Sequence, residues 1–146
     1  MTDSVHIVCP GCTAINRIPT GRMADKPKCG KCGTLLFMGN PVELTGHSFE
    51  RHLQRNDIPL VVDFWAPWCG PCKTMAPAFA EASARVEPKV RFAKLNTETE
   101  QSIAGRFNIR SIPTMILFSE GKEIARQSGA MGAQDIVRWV TAALQG

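Results

Sequence analysis

Leu60, Val61, Val62, Asp63, Phe64, Trp65, Ala66, Pro67, Trp68, Cys69, Gly70, Pro71, Cys72, Lys73 is the stretch that decides the fold. Six mostly apolar residues read as a buried strand, and the apolar positions after them, Met75, Phe79, Ala82 and Val86, recur at helical spacing. The two cysteines therefore sit where a strand turns into a helix. At a spacing of two intervening residues both sulfurs can join without large backbone movement. The first of them meets the unpaired N–H groups and partial positive charge of the helix start, which favour thiolate over thiol. The pattern points to thiol–disulfide exchange, with Cys69 as nucleophile and Cys72, one turn further on, as the resolving thiol.

Four further cysteines form a different pattern. Cys9, Pro10, Gly11, Cys12 and Cys29, Gly30, Lys31, Cys32 are two knuckles separated by sixteen residues, within the spacing of a four-thiolate zinc site. Glycines at 11, 30 and 33 let the backbone bend so that N–H groups point at sulfur. Four thiolates fill a tetrahedral shell and leave no place for water, so one structural Zn2+ per chain is expected, held by Cys9, Cys12, Cys29 and Cys32. Two disulfides are the alternative reading, and His6 is a lesser alternative ligand. Residues 1–40 hold too few large apolar groups to fold without a staple. Oxidation of a thiolate pair would eject the metal, which makes the site a candidate redox-responsive element.

The 146 residues are 44% hydrophobic and 21% charged, with a net charge of +4. Up to residue 45 there are five basic residues against three acids, and one aromatic residue, Phe37, which argues against a nucleic-acid interface. Apolar runs are too short for a membrane span, and the first residues lack a charged segment followed by an apolar one. A cytoplasmic, reducing setting is expected, where cysteines serve metal or catalysis. Gly39, Asn40 and Pro41 mark a break between a zinc-binding unit, 1–40, and a second unit, 41–146. Beyond the break the pattern alternates: strands near 42–44, 60–65, 90–95, 114–118 and 123–128, and helices near 47–55, 69–86, 100–107 and toward the C-terminus. His6, His47 and His52 show no ligand or triad spacing and read as surface residues.

The second unit resembles the thioredoxin family. The likeness is carried by Val62 to Ala66 running into Trp68 to Lys73, by Ala93, Lys94, Leu95, Asn96, by Ile109 to Thr114, and by Gly129, Ala130. With the four-cysteine unit in front, the chain is similar to the zinc-bearing thioredoxin-2 type. The resemblance implies an α/β thioredoxin fold, a mixed central sheet flanked by helices, preceded by a zinc ribbon. It also implies a protein-disulfide reductase recharged by an NADPH-dependent thioredoxin reductase. Flavin and nicotinamide would belong to that partner, since no glycine-rich dinucleotide fingerprint occurs.

Cys72 needs a base, and Asp63 on the otherwise apolar strand is the candidate, its proton affinity raised by burial; a solvent-facing carboxylate is the alternative. Lys94 either pairs with Asp63 or extends to the surface. Trp68, Gly70 and Pro71 frame the cysteines as substrate contacts. The resemblance makes the Ile112–Pro113 bond cis and the pair a substrate ledge, completed by Gly129 and Ala130; without it a trans proline is the ordinary reading. Disulfide-containing proteins are the expected substrates, of a monomer. Two other functions fit the motifs less closely: a zinc-ribbon interaction or nucleic-acid module with a redox switch, and a disulfide oxidase or isomerase. Residues 41–146 are expected to fold without residues 1–40.

Overall fold

The computed structural model describes residues 3–146. Two sheets are present. The first is a hairpin of β1 (Ser4–Val8) and β2 (Ile15–Pro19), followed by a 3-10 turn at Thr20–Arg22. The second has five strands in the order β3 (Val42–Leu44), β5 (Arg91–Asn96), β4 (Leu60–Trp65), β6 (Thr114–Ser119), β7 (Lys122–Ser128). β3, β5 and β4 run parallel, while β6 and β7 are antiparallel. Four α-helices complete the described residues: α1 (Phe49–Arg55), α2 (Gly70–Val86), α3 (Gln101–Arg106) and α4 (Ala133–Gln145).

β4 lies at the centre of the large sheet and is covered on both sides, which explains its near-continuous apolar sequence. Alternation along it sorts the two cores. Val62 and Phe64 pack with Phe49, Leu53, Leu95 and Phe118, against α1 and α3. Val61 packs with Met75, Phe79, Phe92, Leu117, Ile136 and Val140, against α2 and α4. Asp63 therefore points to the α2 side, the side on which Cys72 is carried. The sheet, helices and preceding ribbon are the architecture the resemblance implied.

The ribbon has a small core of Ile7, Cys9, Ile18, Cys29 and Leu36, to which Ile58 of the second unit adds its side chain. It is fastened to that unit by polar contacts as well. His6 N–H donates to Asp57 Oδ2 at 2.7 Å, Asp57 N–H returns a bond to the His6 carbonyl at 2.9 Å, and Val8 N–H donates to Asn56 Oδ1 at 2.8 Å. These bonds occupy the edge of β1 that β2 leaves open. Arg91 lies beneath, 1% exposed, donating from Nη2 to the carbonyls of Leu36 (2.7 Å) and Val8 (3.3 Å), with Glu87 3.5 Å away.

His52 corrects the expectation of a surface histidine: it is buried on α1, with Asn56 Nδ2 3.3 Å from its Nδ1. Burial, with Arg91 nearby, pushes its pKa down to about 3, so it stays neutral. The isolated spacing of histidines concealed this because α1 turns position 52 inward together with Phe49 and Leu53. His6 is half-exposed and engaged with Asp57 at 3.0 Å, apart from the cysteine cluster.

Candidate functional site

Cys69 is the N-cap of α2. Its backbone is extended (φ −88°, ψ 113°), and its Sγ accepts a hydrogen bond from Cys72 N–H at 3.2 Å. Pro71 occupies the first turn, where a helix has no use for its missing N–H. The Cα atoms of Cys69 and Cys72 are 5.3 Å apart and the two sulfurs are joined as a disulfide. Both cysteines are almost fully covered, packing with Ala66, Trp65 and Ile112. Around them the surface opens: Trp68 is 68% exposed, and Gly70 and Pro71 are exposed.

The loop before β6 supplies the opposite wall. The Ile112–Pro113 bond is cis, and the Ile112 carbonyl oxygen lies 3.8 Å from Cys69 Sγ. Pro113 is buried, and its carbonyl accepts from Gly129 N–H at 2.9 Å, which brings the exposed Gly129 and Ala130 to the same rim. Gly129 has φ +97°, a conformation that disfavours any side chain. Trp68, Gly70 and Pro71 thus flank Cys69 along the chain, Ile112 meets its sulfur, and Gly129, followed by Ala130, is bonded to Pro113 next to it. Such a rim, apolar with carbonyl and amide groups at its edge, suits an extended peptide.

Asp63 is 1% exposed, and its Oδ1 has no hydrogen-bond partner. Desolvation raises its pKa to about 7; Lys94 opposes the rise and Glu43 adds to it. A carboxyl group of that affinity can take up or release a proton near neutral pH. Lys94 is its direct neighbour on β5 in the parallel register, with Nζ 4.4 Å above the Trp65 ring. Both residues are where the strand reading put them, side by side on the central strands.

The second cluster is the ribbon's. The Sγ atoms of Cys9, Cys12, Cys29 and Cys32 all lie within 4.8 Å of one another, with Cys9 to Cys32 and Cys12 to Cys29 both 3.6 Å. Those separations are too long for disulfides, and they match the edge of about 3.8 Å expected for a tetrahedron of sulfurs around zinc at ~2.3 Å. Gly11 and Cys12 N–H donate to Cys9 Sγ at 3.3 and 3.4 Å, and Lys31 N–H donates to Cys29 Sγ at 3.3 Å. Backbone donation from Cys32, helped by the Asn16 side chain, lowers the Cys29 thiol to about 6, whereas burial pushes Cys9 up to about 12. A cation bound among the four sulfurs would hold such a thiol as thiolate. The donor set fits Zn2+.

Two groups of residues lay outside the sequence reading. Arg91, Glu87 and Asn56 build the junction between ribbon and sheet, and Glu43 accepts a hydrogen bond from the Trp65 indole N–H at 3.3 Å. Arg91 did leave a signal, a charge within the buried run Val90 to Ala93. Glu43, on an edge strand of three residues, left none.

Comparison with known proteins agrees with this geometry. The family described as Thioredoxin matches residues 40–142, and the family described as Thioredoxin 2, N-terminal, matches residues 8–34. The chain is 42% identical over 139 residues to Thioredoxin C-3 of Corynebacterium nephridii, covering 95% of both chains. It is 36% identical to the Thioredoxin of Haemophilus influenzae over 103 residues, 70% of this chain and 96% of that one. Thioredoxin 1 of Nostoc sp. is 37% identical over 94 residues, 64% of this chain and 88% of its own.

Proposed function

The chain belongs to the thioredoxin family and carries the zinc ribbon of the thioredoxin 2 type, and from this premise we propose that it is a general protein-disulfide reductase working through Cys69 and Cys72. The observation that carries the reading is the place of Cys69 Sγ: at the cap of α2, accepting from Cys72 N–H, beside the Ile112 carbonyl and next in the chain to an exposed tryptophan. The helix N-terminus stabilises the Cys69 thiolate.

The cycle follows from that position. Cys69 thiolate attacks one sulfur of a substrate disulfide; the new S–S bond forms as the substrate's own S–S bond breaks, and the second substrate sulfur leaves as thiolate and takes a proton from solvent. Asp63 as carboxylate accepts the Cys72 proton, directly or through water, and Lys94 balances the charge. Cys72 thiolate then attacks Cys69, which forms the intramolecular disulfide and releases the reduced substrate. Two electrons from NADPH, delivered by a flavoprotein thioredoxin reductase, restore the dithiol. Trp68, Gly70, Pro71, Ile112, Pro113, Gly129 and Ala130 hold the substrate backbone during the exchange.

The zinc ribbon, 1–40, is a structural unit in this scheme, and 41–146 is the catalytic one. Zn2+ held by Cys9, Cys12, Cys29 and Cys32 supplies a cross-link and no chemistry, because four thiolates close its coordination shell. The protein works as a monomer in the cytoplasm. Among the described residues no helix is long and apolar enough to cross a membrane.

The test is insulin-disulfide reduction with NADPH and a bacterial thioredoxin reductase, comparing the wild type with Cys69→Ser and Cys72→Ser. Turnover in the wild type and its loss in both variants is the expected result. An inactive wild type overturns the reading, and a strongly oxidising redox potential in that protein would assign it to disulfide formation instead.

A further inference from the structure

Three charged residues stand in one row across the central sheet. Glu43 on β3 is register partner to Lys94 on β5, and Lys94 is register partner to Asp63 on β4. Partners in register share a face, so all three side chains project to the α2 side. The row runs from a carboxylate on the edge strand, through a half-buried lysine, to a buried carboxyl group. Trp65, two residues beyond Asp63 and on the same face, ties the outer end together: its indole N–H donates to Glu43 Oε2 at 3.3 Å and its ring lies under Lys94 Nζ at 4.4 Å.

We propose that Glu43 is a positioning residue for disulfide exchange: by sharing Lys94 with Asp63 and holding the Trp65 ring beneath the ammonium, it sets how strongly Asp63 holds its proton. The inference rests on the reading of Asp63 as the base for Cys72. A lysine that faced Asp63 alone would pull its carboxyl toward the ordinary carboxylate range, where it is too weak a base for a thiol. A second carboxylate on the far side of the lysine divides that attraction and adds its own repulsion. The direction agrees with the raised affinity of Asp63, to which Glu43 contributes. Glu43 is itself held above the ordinary range by burial.

The surroundings leave few competing charges. β6 places Met115 beside Asp63, α2 contributes the thiols of Cys69 and Cys72, and the α4 residues of this core, Ile136 and Val140, are apolar. The charges of α4 at Asp135 and Arg138 lie exposed beside each other at 3.9 Å. Glu100 acts on Glu43 from the far end and accepts from Gly46 N–H at 2.6 Å.

The experiment follows the Asp63 carboxyl carbon by 13C NMR against pH, with the cysteines held as the disulfide so that no thiol titrates beside it. Glu43→Gln keeps an acceptor for the Trp65 indole and removes only the charge. It should lower the Asp63 midpoint by about 0.6–1.3 pH units, the interaction of unit charges two strand spacings apart at an effective dielectric of ~20–40. Glu50→Gln, which removes a carboxylate paired with Arg106 elsewhere on the surface, should leave the midpoint in place. A Glu43→Gln titration that superimposes on the wild type overturns the proposal, and an unchanged far-UV circular dichroism spectrum certifies that the variant is folded. The pH profile of mixed-disulfide resolution by Cys72 is measured on the same variants. If the carboxyl titration moves and that profile does not, the Glu43 coupling stands and the assignment of Asp63 as base falls. If both move together, both stand.

Discussion

Arg91 Nη2 donates to the Leu36 carbonyl at 2.7 Å across the junction of the two units, and both residues are buried. The same guanidinium reaches the carbonyl of Val8, the residue before the first cysteine of the zinc site, and lies 4.4 Å from the Phe37 ring centroid. Its counter-charge, Glu87, is buried too and accepts from Gly39 N–H in the linker at 3.2 Å. The ribbon thus docks on a desolvated ion pair, and removing one member leaves the other uncompensated. Arg91→Ala should lower stability by about 3–5 kcal/mol, read as a fall in denaturation midpoint. Arg91→Met together with Glu87→Leu should recover much of that loss. Residues 41–146 alone keep both apolar cores, and should fold with a reduced midpoint because Arg91, Asn56 and Ile58 lose their ribbon partners. A fragment as stable as the whole chain would show that these contacts contribute nothing.

Two buried titratable groups give the stability a characteristic response to pH. The Asp63 pKa is raised to about 7, so the native state holds a proton that the unfolded chain releases near 3.8, and stability falls as pH rises between those values. His52 is lowered to about 3 from 6.5, so the native state lacks a proton that the unfolded chain takes up, and stability rises with pH over that interval. The two slopes oppose each other through the overlapping window, and Glu87, also raised by burial, adds to the fall. Asp63→Asn removes one of them. The variant should match the wild type near pH 4 and become more stable by up to about 4 kcal/mol above pH 7, checked by urea unfolding across that range. Equal gains at both ends of the range would mean that Asp63 affects stability by packing rather than by ionisation.

The parts of the molecule legible in the sequence are those whose signal is local. The helix-capping cysteine pair, the two zinc knuckles and the apolar alternation of β4 are each written in consecutive residues, and β4 and α2 begin within one residue of where the pattern put them. What was not legible depends on which strands become neighbours. The placing of β3 beside β5 makes Glu43 a partner of Lys94, and nothing near position 43 encodes that register. His52 and Arg91 were hidden for the same reason. Each is polar, and each is buried because a second segment, distant in sequence, supplies its cover. The ribbon cluster shows the opposite limit: sixteen residues separate its knuckles, yet the spacing singled out the four cysteines whose sulfurs the fold brings together.

The zinc site permits a test that separates metal from chemistry. A four-thiolate shell should hold about one Zn2+ per chain, and chelation under reducing conditions should unfold the ribbon, because Ile7, Ile18 and Leu36 are too few to hold it. Hydrogen exchange should then accelerate at the β1–β2 hairpin and at Asp57 N–H, which is bonded to the His6 carbonyl, while β4 and β6 remain protected. Cys12→Ser should give the same pattern without chelator. Fast exchange throughout β4 would instead mean that the catalytic sheet depends on the metal.

Gly129 offers a test of the substrate rim that leaves the cysteines alone. Its φ of +97° is strained for any residue with a Cβ, although the space around the missing Cβ is open. Gly129→Ala therefore acts through backbone conformation, at a cost of about 1–3 kcal/mol, rather than through collision. Relaxation of that strain would move the N–H that now donates to the Pro113 carbonyl at 2.9 Å, and with it the edge proposed above to hold an extended substrate. On the proposed reading a protein disulfide would lie along this edge, whereas a small aromatic disulfide would need to reach only the Cys69 sulfur. The variant should raise KM for insulin several-fold, as expected for a loss of ~1 kcal/mol in binding, with the rate toward the small disulfide unchanged. An equal fall toward both substrates would place the effect in the Cys69–Cys72 pair and remove Gly129 from the binding surface.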